Sequence, residues 1–90
     1  MSPDINSELS NPSIATKVFP NPVIDNLSIE SDSPIEKLLI FDVTGKLVAD
    51  LDVGGAYQFD TLIFSQLPAG KYHLQLLSKE GIDIHNLIKH

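Results

Sequence analysis

From Lys17 onward, short apolar segments alternate with turn residues at a spacing that favours strands over helices. Val18 and Phe19 precede Pro20-Asn21-Pro22, where proline fixes φ and removes an N–H donor, so a short edge strand ending in a rigid corner is predicted. Leu27 and Ile29 alternate with Ser28 and Glu30, the two-residue period of a half-buried strand, and Ser31 to Pro34 is read as its closing turn. Lys37-Leu38-Leu39-Ile40-Phe41-Asp42-Val43 is nearly continuous in apolar residues and predicts a central strand. Thr44-Gly45 then makes a hairpin to Lys46-Leu47-Val48-Ala49-Asp50-Leu51, because glycine supplies the positive φ that a tight antiparallel turn often requires.

Gly54-Gly55 is read as a further break, after which Tyr57, Phe59, Leu62 and Phe64 carry the alternation on. Leu67-Pro68-Ala69-Gly70 predicts a turn before Tyr72, Leu74 and Leu76, and Lys79-Glu80-Gly81 another before Ile82 to Ile88. The pattern predicts an all-β domain of about seven short strands, an antiparallel β-sandwich or a small closed barrel. Its expected core is Leu27, Ile29, Leu38, Ile40, Leu47, Ala49, Leu62, Phe64, Leu67, Tyr72, Leu74, Leu76 and Ile84. Residues 1–16 have no period that buries one face and are expected to form a flexible linker or a remnant of upstream sequence, leaving 17–90 as the domain.

Length agrees with one domain. A chain of 90 residues and 9.9 kDa can bury about two thirds of its unfolded surface, and halving it would leave two cores too small to stand without staples. There is no cysteine, which excludes disulfides, thiolate metal sites and cysteine catalysis. Twelve acids against six lysines, with no arginine, give a net charge of −6. Such a field repels a nucleic-acid backbone, and the bidentate phosphate reader is missing, so nucleic acid is not an expected partner. No apolar run approaches the roughly 20 residues of a spanning helix.

Candidate chemistry is sparse. His73 and His85 are expected to face solvent, opposite Leu74 and Ile84, and with His90 they do not form a metal-ligand motif. Asp50, Asp52 and Asp60 lack calcium-loop spacing and read as exposed charges that discourage sheet association. Ser65 and Ser78 lie outside a nucleophile elbow, and Gly45-Lys46 and Gly70-Lys71 do not complete a phosphate loop; the two lysines read as hairpin starts. No catalytic residue, metal or cofactor is assigned. Tyr57, Phe59, Phe64 and Tyr72 support an alternative, an Ig-like adhesive or carbohydrate-binding accessory module, provided they form one stacking surface. A small hydrolase is a third class, and it would require turnover that tracks one nucleophile.

Three blocks occur together in order: Val18-Phe19-Pro20-Asn21-Pro22, Ile40-Phe41-Asp42-Val43-Thr44-Gly45-Lys46-Leu47-Val48 and Leu67-Pro68-Ala69-Gly70-Lys71-Tyr72. In this the chain resembles the type A C-terminal sorting domain of type IX secretion cargo in Bacteroidota, over approximately Val18 to His90. The resemblance implies an Ig-like antiparallel sandwich without catalytic activity. It further implies that the domain directs attached upstream cargo through the periplasm and across the outer membrane, to the cell surface or the extracellular space. The implied partners are translocon or shuttle components and a sortase-like peptidase that removes the signal as cargo is attached or released. Residue by residue, it implies a corner at Pro20, Asn21 and Pro22, a hairpin fixed by Asp42, Gly45 and Lys46, and a second turn with its packed aromatic at Leu67, Pro68, Gly70 and Tyr72. The implied terminal recognition segment is Leu87, Ile88, Lys89 and His90. Asn86 departs from the lysine often found in the family before the terminal apolar pair.

Overall fold

A computed structural model describes residues 14–90. The expected all-β class holds, but the described residues form five strands rather than about seven: β1 (Thr16–Phe19), β2 (Leu27–Asp42), β3 (Leu47–Thr61), β4 (Gly70–Ser78) and β5 (Gly81–Lys89), with a 3-10 turn at Ile63–Gln66. The four strand pairings among the described residues are antiparallel, and an isolated bridge between Val23 and Lys89 is parallel. β3 runs along one edge of β2, while the other edge is shared by β1 on its first half and β4 on its second, with β5 outside β4.

The missing strands come from two breaks that are bulges instead of turns. Glu30 pairs with Gln58 and Ile35 with Ala56, so Ser31 to Pro34 bulge out of β2; Lys37 then pairs with Asp52, so Val53, Gly54 and Gly55 bulge out of β3. Gly54 and Gly55 take φ of 82° and 90°, open to glycine and strained for other residues. The compensating bulges bend both strands together without breaking either.

That bend makes the core. Both ends of β2 lie at one end of the molecule: Asp42 pairs with Tyr72, whose other neighbour is Leu87, and Leu27 follows Val23, which bridges Lys89. Leu27 and Ile29 from the first half of β2 join Ile35, Leu38 and Ile40 from beyond the bulge, with Phe64, Tyr72, Leu74, Leu76 and Leu87, in one buried cluster. The alternation of buried positions in β2 changes parity between Ile35 and Leu38, where the register shifts. Each such side chain contributes about 1.5–3 kcal/mol by leaving water.

Several expected core positions lie elsewhere. Leu47 and Leu62 are exposed, and Ala49 and Leu67 are half-buried against the cluster. β5 has the opposite parity to that expected: Ile84 is 56% exposed, while His85 is half-buried. The physical reason is a polar contact between the two ends of the pairing order. The Thr16 hydroxyl of β1 donates to Asp83 Oδ2 at 2.6 Å and lies 2.6 Å from His85 Nε2 in β5. Asp83, His85 and Leu87 therefore turn inward together.

The expected tail over 1–16 falls outside the described residues for 1–13. Ile14 is buried, and Ala15 and Asp32 bind each other through Asp32 N–H to the Ala15 carbonyl and Ala15 N–H to Asp32 Oδ1, both at 3.1 Å. The described chain thus enters beside the bulge of β2. Nearby, Ser33 donates to Glu80 at the β4–β5 hairpin, 2.8 Å away.

Candidate functional site

The three sequence blocks and the last strand meet at the opposite end. In the Pro20-Asn21-Pro22 corner, where both X–Pro bonds are cis, the Asn21 side chain lies against β5: Nδ2 donates to the Asn86 carbonyl at 3.3 Å, and Oδ1 accepts from Ile88 N–H at 3.1 Å. An amide side chain has the donor and acceptor of a peptide group, so it stands in for a neighbouring strand. Val23 continues the contact, donating to the Ile88 carbonyl at 2.8 Å and accepting from His90 N–H at 2.9 Å. The corner residues and the terminal segment, assigned separately along the sequence, form one structural unit.

The hairpin is built around a single carboxylate. Asp42 Oδ1 accepts from the Thr44 hydroxyl at 2.6 Å, Thr44 N–H at 2.9 Å and Lys46 N–H at 3.1 Å. Gly45, at φ 87°, donates its N–H to the Asp42 carbonyl and turns the chain into β3. The Thr44 hydroxyl and then the Lys46 N–H hold the Asp42 carboxyl below its ordinary value of 3.8, since these hydrogen bonds favour the charged form.

Tyr72 ties the second turn. Its hydroxyl donates to the Pro68 carbonyl at 2.5 Å, and its ring meets Phe64 edge-on with centroids 5.6 Å apart. Burial, followed by the nearby Asp42 charge, pushes the phenol above its ordinary value of 10.0. Lys89 reaches back and donates to the Leu67 carbonyl at 2.9 Å, and Gly70 pairs with Lys89. Leu87 is buried at 2% exposure, whereas Ile88 is 43% exposed. Together Asn21, Val43, Lys71, Tyr72, Asn86 and Ile88 line an open groove of 340 Å³. Asn86 Oδ1 lies 2.6 Å from His73 Nδ1 at its border, so the departing residue is engaged with a neighbour on β4.

Other candidates do not assemble. Phe64 and Tyr72 are buried and Phe59 is half-buried against the core, which leaves Tyr57 alone exposed, so these four aromatics do not form the stacking surface an adhesive or carbohydrate-binding module would use. Ser65 Oγ donates to the Leu62 carbonyl and Ser78 Oγ accepts from Glu80 N–H, each serving its own turn. His85 is engaged with Thr16 and Asp83, contrary to the outward position expected for it. Among the described residues no helix is long and apolar enough to cross a membrane.

These features define a class: a small antiparallel β domain whose distinctive residues hold its own last strand in place and expose part of it. A family model, the secretion system C-terminal sorting domain, matches residues 17–90, and the chain belongs to that family, the sorting domains of type IX secretion. Its members serve as C-terminal sorting signals and are not a catalytic family. Membership carries attachment to cargo, interaction with the secretion machinery, and export across the outer membrane to the surface or extracellular space. No curated protein matches the chain.

Proposed function

We propose that the groove end is the surface the secretion machinery reads. The observation that carries this is the Asn21 clamp on Asn86 and Ile88, which fixes the backbone of the last strand while leaving the Ile88 side chain and Lys71 at the groove. A signal presented on a pinned strand loses little conformational freedom when a partner binds it. Pro20, Pro22, Asp42, Gly45, Lys46, Leu67, Pro68, Gly70 and Tyr72 then act as supports, and Leu87 to His90 as the segment presented. We also read the folded-back β2–β3 pair as a reduced form of the Ig-like sandwich that the resemblance implies.

The position of the upstream connection supports this reading. Ala15 lies by the bulge of β2, with the length of β1 between it and the Asn21 corner, so the upstream chain joins away from the groove. In this proposal a translocon or shuttle component engages the groove from the periplasmic side. A sortase-like peptidase then cuts upstream of Ala15, and the cargo is attached or released.

The test fuses residues 14–90 to an exported reporter in cells carrying type IX machinery. Surface delivery is expected for the intact fusion. Lys71→Glu combined with Ile88→Ser should trap the reporter in the periplasm, with a melting temperature of the isolated domain within a few degrees of the parent. Undiminished delivery by that variant would overturn the assignment of the groove.

A further inference from the structure

The edges of the sheet are treated unequally. On β5 the outward backbone is covered by Asn21 and Val23 at Asn86 and Ile88, and Asp83 Oδ1 accepts from the N–H of Ile84 at 2.9 Å. β1 offers only four residues. β3 offers fifteen, and among the described residues β2 is its only strand partner. Half of the N–H and C=O groups of a strand point to each side, so the outer side of β3 is a row of main-chain donors and acceptors suited to another strand. Gln58 to Thr61 is a regular stretch of this edge, since its pairing with Leu27 through Glu30 proceeds without a bulge.

Charge narrows the occupant. Along this edge and the adjoining part of β2, Asp50, Asp52, Asp60 and Glu36 stand against one lysine, Lys37, which lies 3.0 Å from Asp50 and 3.8 Å from Asp52. Because β3 bends, Asp52 and Asp60 line the same hollow of 290 Å³, whose other walls are Leu51, Val53, Phe59 and Thr61. An aliphatic stem beneath a cationic head matches those walls. A second copy of β3 would set acids against acids, and residues 1–13 carry Asp4 and Glu8 with no lysine or arginine. Like charges brought together in this way disfavour both occupants.

We propose that the free edge of β3 is a strand-addition site for an extended segment of a partner protein bearing lysine or arginine at alternate positions, one basic side chain seating between Asp52 and Asp60. Main-chain hydrogen bonds supply the attraction, and the acids choose the strand. This surface is distinct from the groove end and stands whether or not the groove is the signal.

The test uses NMR on the full chain with three capped eight-residue peptides. One alternates valine with lysine, one alternates valine with glutamate, and the third is the lysine peptide with alternate backbone amides methylated. The lysine peptide should shift the amides of Ala49 to Thr61 and slow exchange at alternate ones. Methylation, the glutamate replacement, or the double variant Asp52→Asn with Asp60→Asn should each weaken binding by about tenfold or more. Equal binding by the methylated peptide would reduce the effect to adventitious charge attraction and overturn the proposal. So would shifts centred elsewhere, or no binding at millimolar peptide. Protection of β3 that rises with protein concentration in the absence of peptide would make a second copy the occupant, and the proposal would fail.

Discussion

Asn21 holds Ile88 as a strand would, its Oδ1 accepting the Ile88 N–H at 3.1 Å while Nδ2 donates to the Asn86 carbonyl two residues earlier. A corner following β1 thereby sets the position of the last strand, although the two are almost seventy residues apart in sequence. The outer edge of the last strand is held by this long-range clamp, because β4 secures only the other edge.

Asn21→Ala should therefore loosen the end of β5 before it loosens the sheet. Both hydrogen bonds are exposed, so the global loss should be about 1 kcal/mol by urea denaturation. Amide exchange at Ile88 and His90 should accelerate well beyond that at Leu74 and Leu76. Uniform acceleration across β4 and β5 would show that the corner supports the whole sheet instead of clamping its end.

Acid should act on the hairpin through Asp42. Its folded pKa lies below the ordinary carboxylate value, so the folded state binds this proton more weakly than the unfolded chain does. Its stabilising contribution is fully present above the unfolded value, near pH 4, and is lost as pH falls through the folded value. Asp42→Asn keeps a carbonyl acceptor but removes the charge. The variant should be less stable than the parent at neutral pH, and the difference should shrink as pH drops below about 4. Parallel melting curves from pH 7 to 2 check this, and a constant gap would assign the effect to hydrogen bonding without charge.

Much of the local pattern was legible because it rests on neighbours in sequence. Asp42, Thr44 and Gly45 specify their turn within four residues, and the alternation of Tyr72, Leu74 and Leu76 gives the inner face of β4 directly. The errors lie where one residue type serves two geometries. Ser31 to Pro34 and Gly54-Gly55 have turn composition, but they oppose each other across a ladder and act as paired bulges, a relation visible only once the strands are in register. β5 misled for another reason. Ile84 outranks His85 in hydrophobicity, yet Thr16 supplies the polar partner that draws Asp83 and His85 inward. The candidate site was legible as motifs and illegible as a place, since the contacts joining Asn21 to Ile88 and Lys89 to Leu67 have no local trace.

Tyr72→Phe isolates the support of the second turn. The ring keeps its edge-on contact with Phe64, but the Pro68 carbonyl loses its donor. A loss of about 1–2 kcal/mol is expected in chemical denaturation, with an unchanged slope against denaturant. In the parent, alkaline titration should ionise Tyr72 above the ordinary phenol value, because burial and the Asp42 charge both disfavour its phenolate. Ionisation of Tyr72 at or below the ordinary phenol value in the folded protein would contradict its buried position.

Deleting Leu87 to His90 is the obvious test of a terminal signal, and the structure makes it an ambiguous one. The deletion takes Leu87 from the core, the Lys89 bond to Leu67, and the Val23 hydrogen bonds to Ile88 and His90. Removing a buried leucine alone costs about 2–5 kcal/mol, a large share of what a domain of this size possesses. The truncated domain should thus melt far below the parent, and failed export by it would report lost folding. Ile88→Asn separates the two effects: the side chain is 43% exposed and its backbone bonds to Asn21 and Val23 do not depend on it. If the segment is read as a signal, this variant should melt near the parent by circular dichroism yet deliver much less reporter to the surface. Normal delivery by Ile88→Asn, together with failure of the truncation, would assign the last strand a purely structural part and move the recognised surface elsewhere on the sheet.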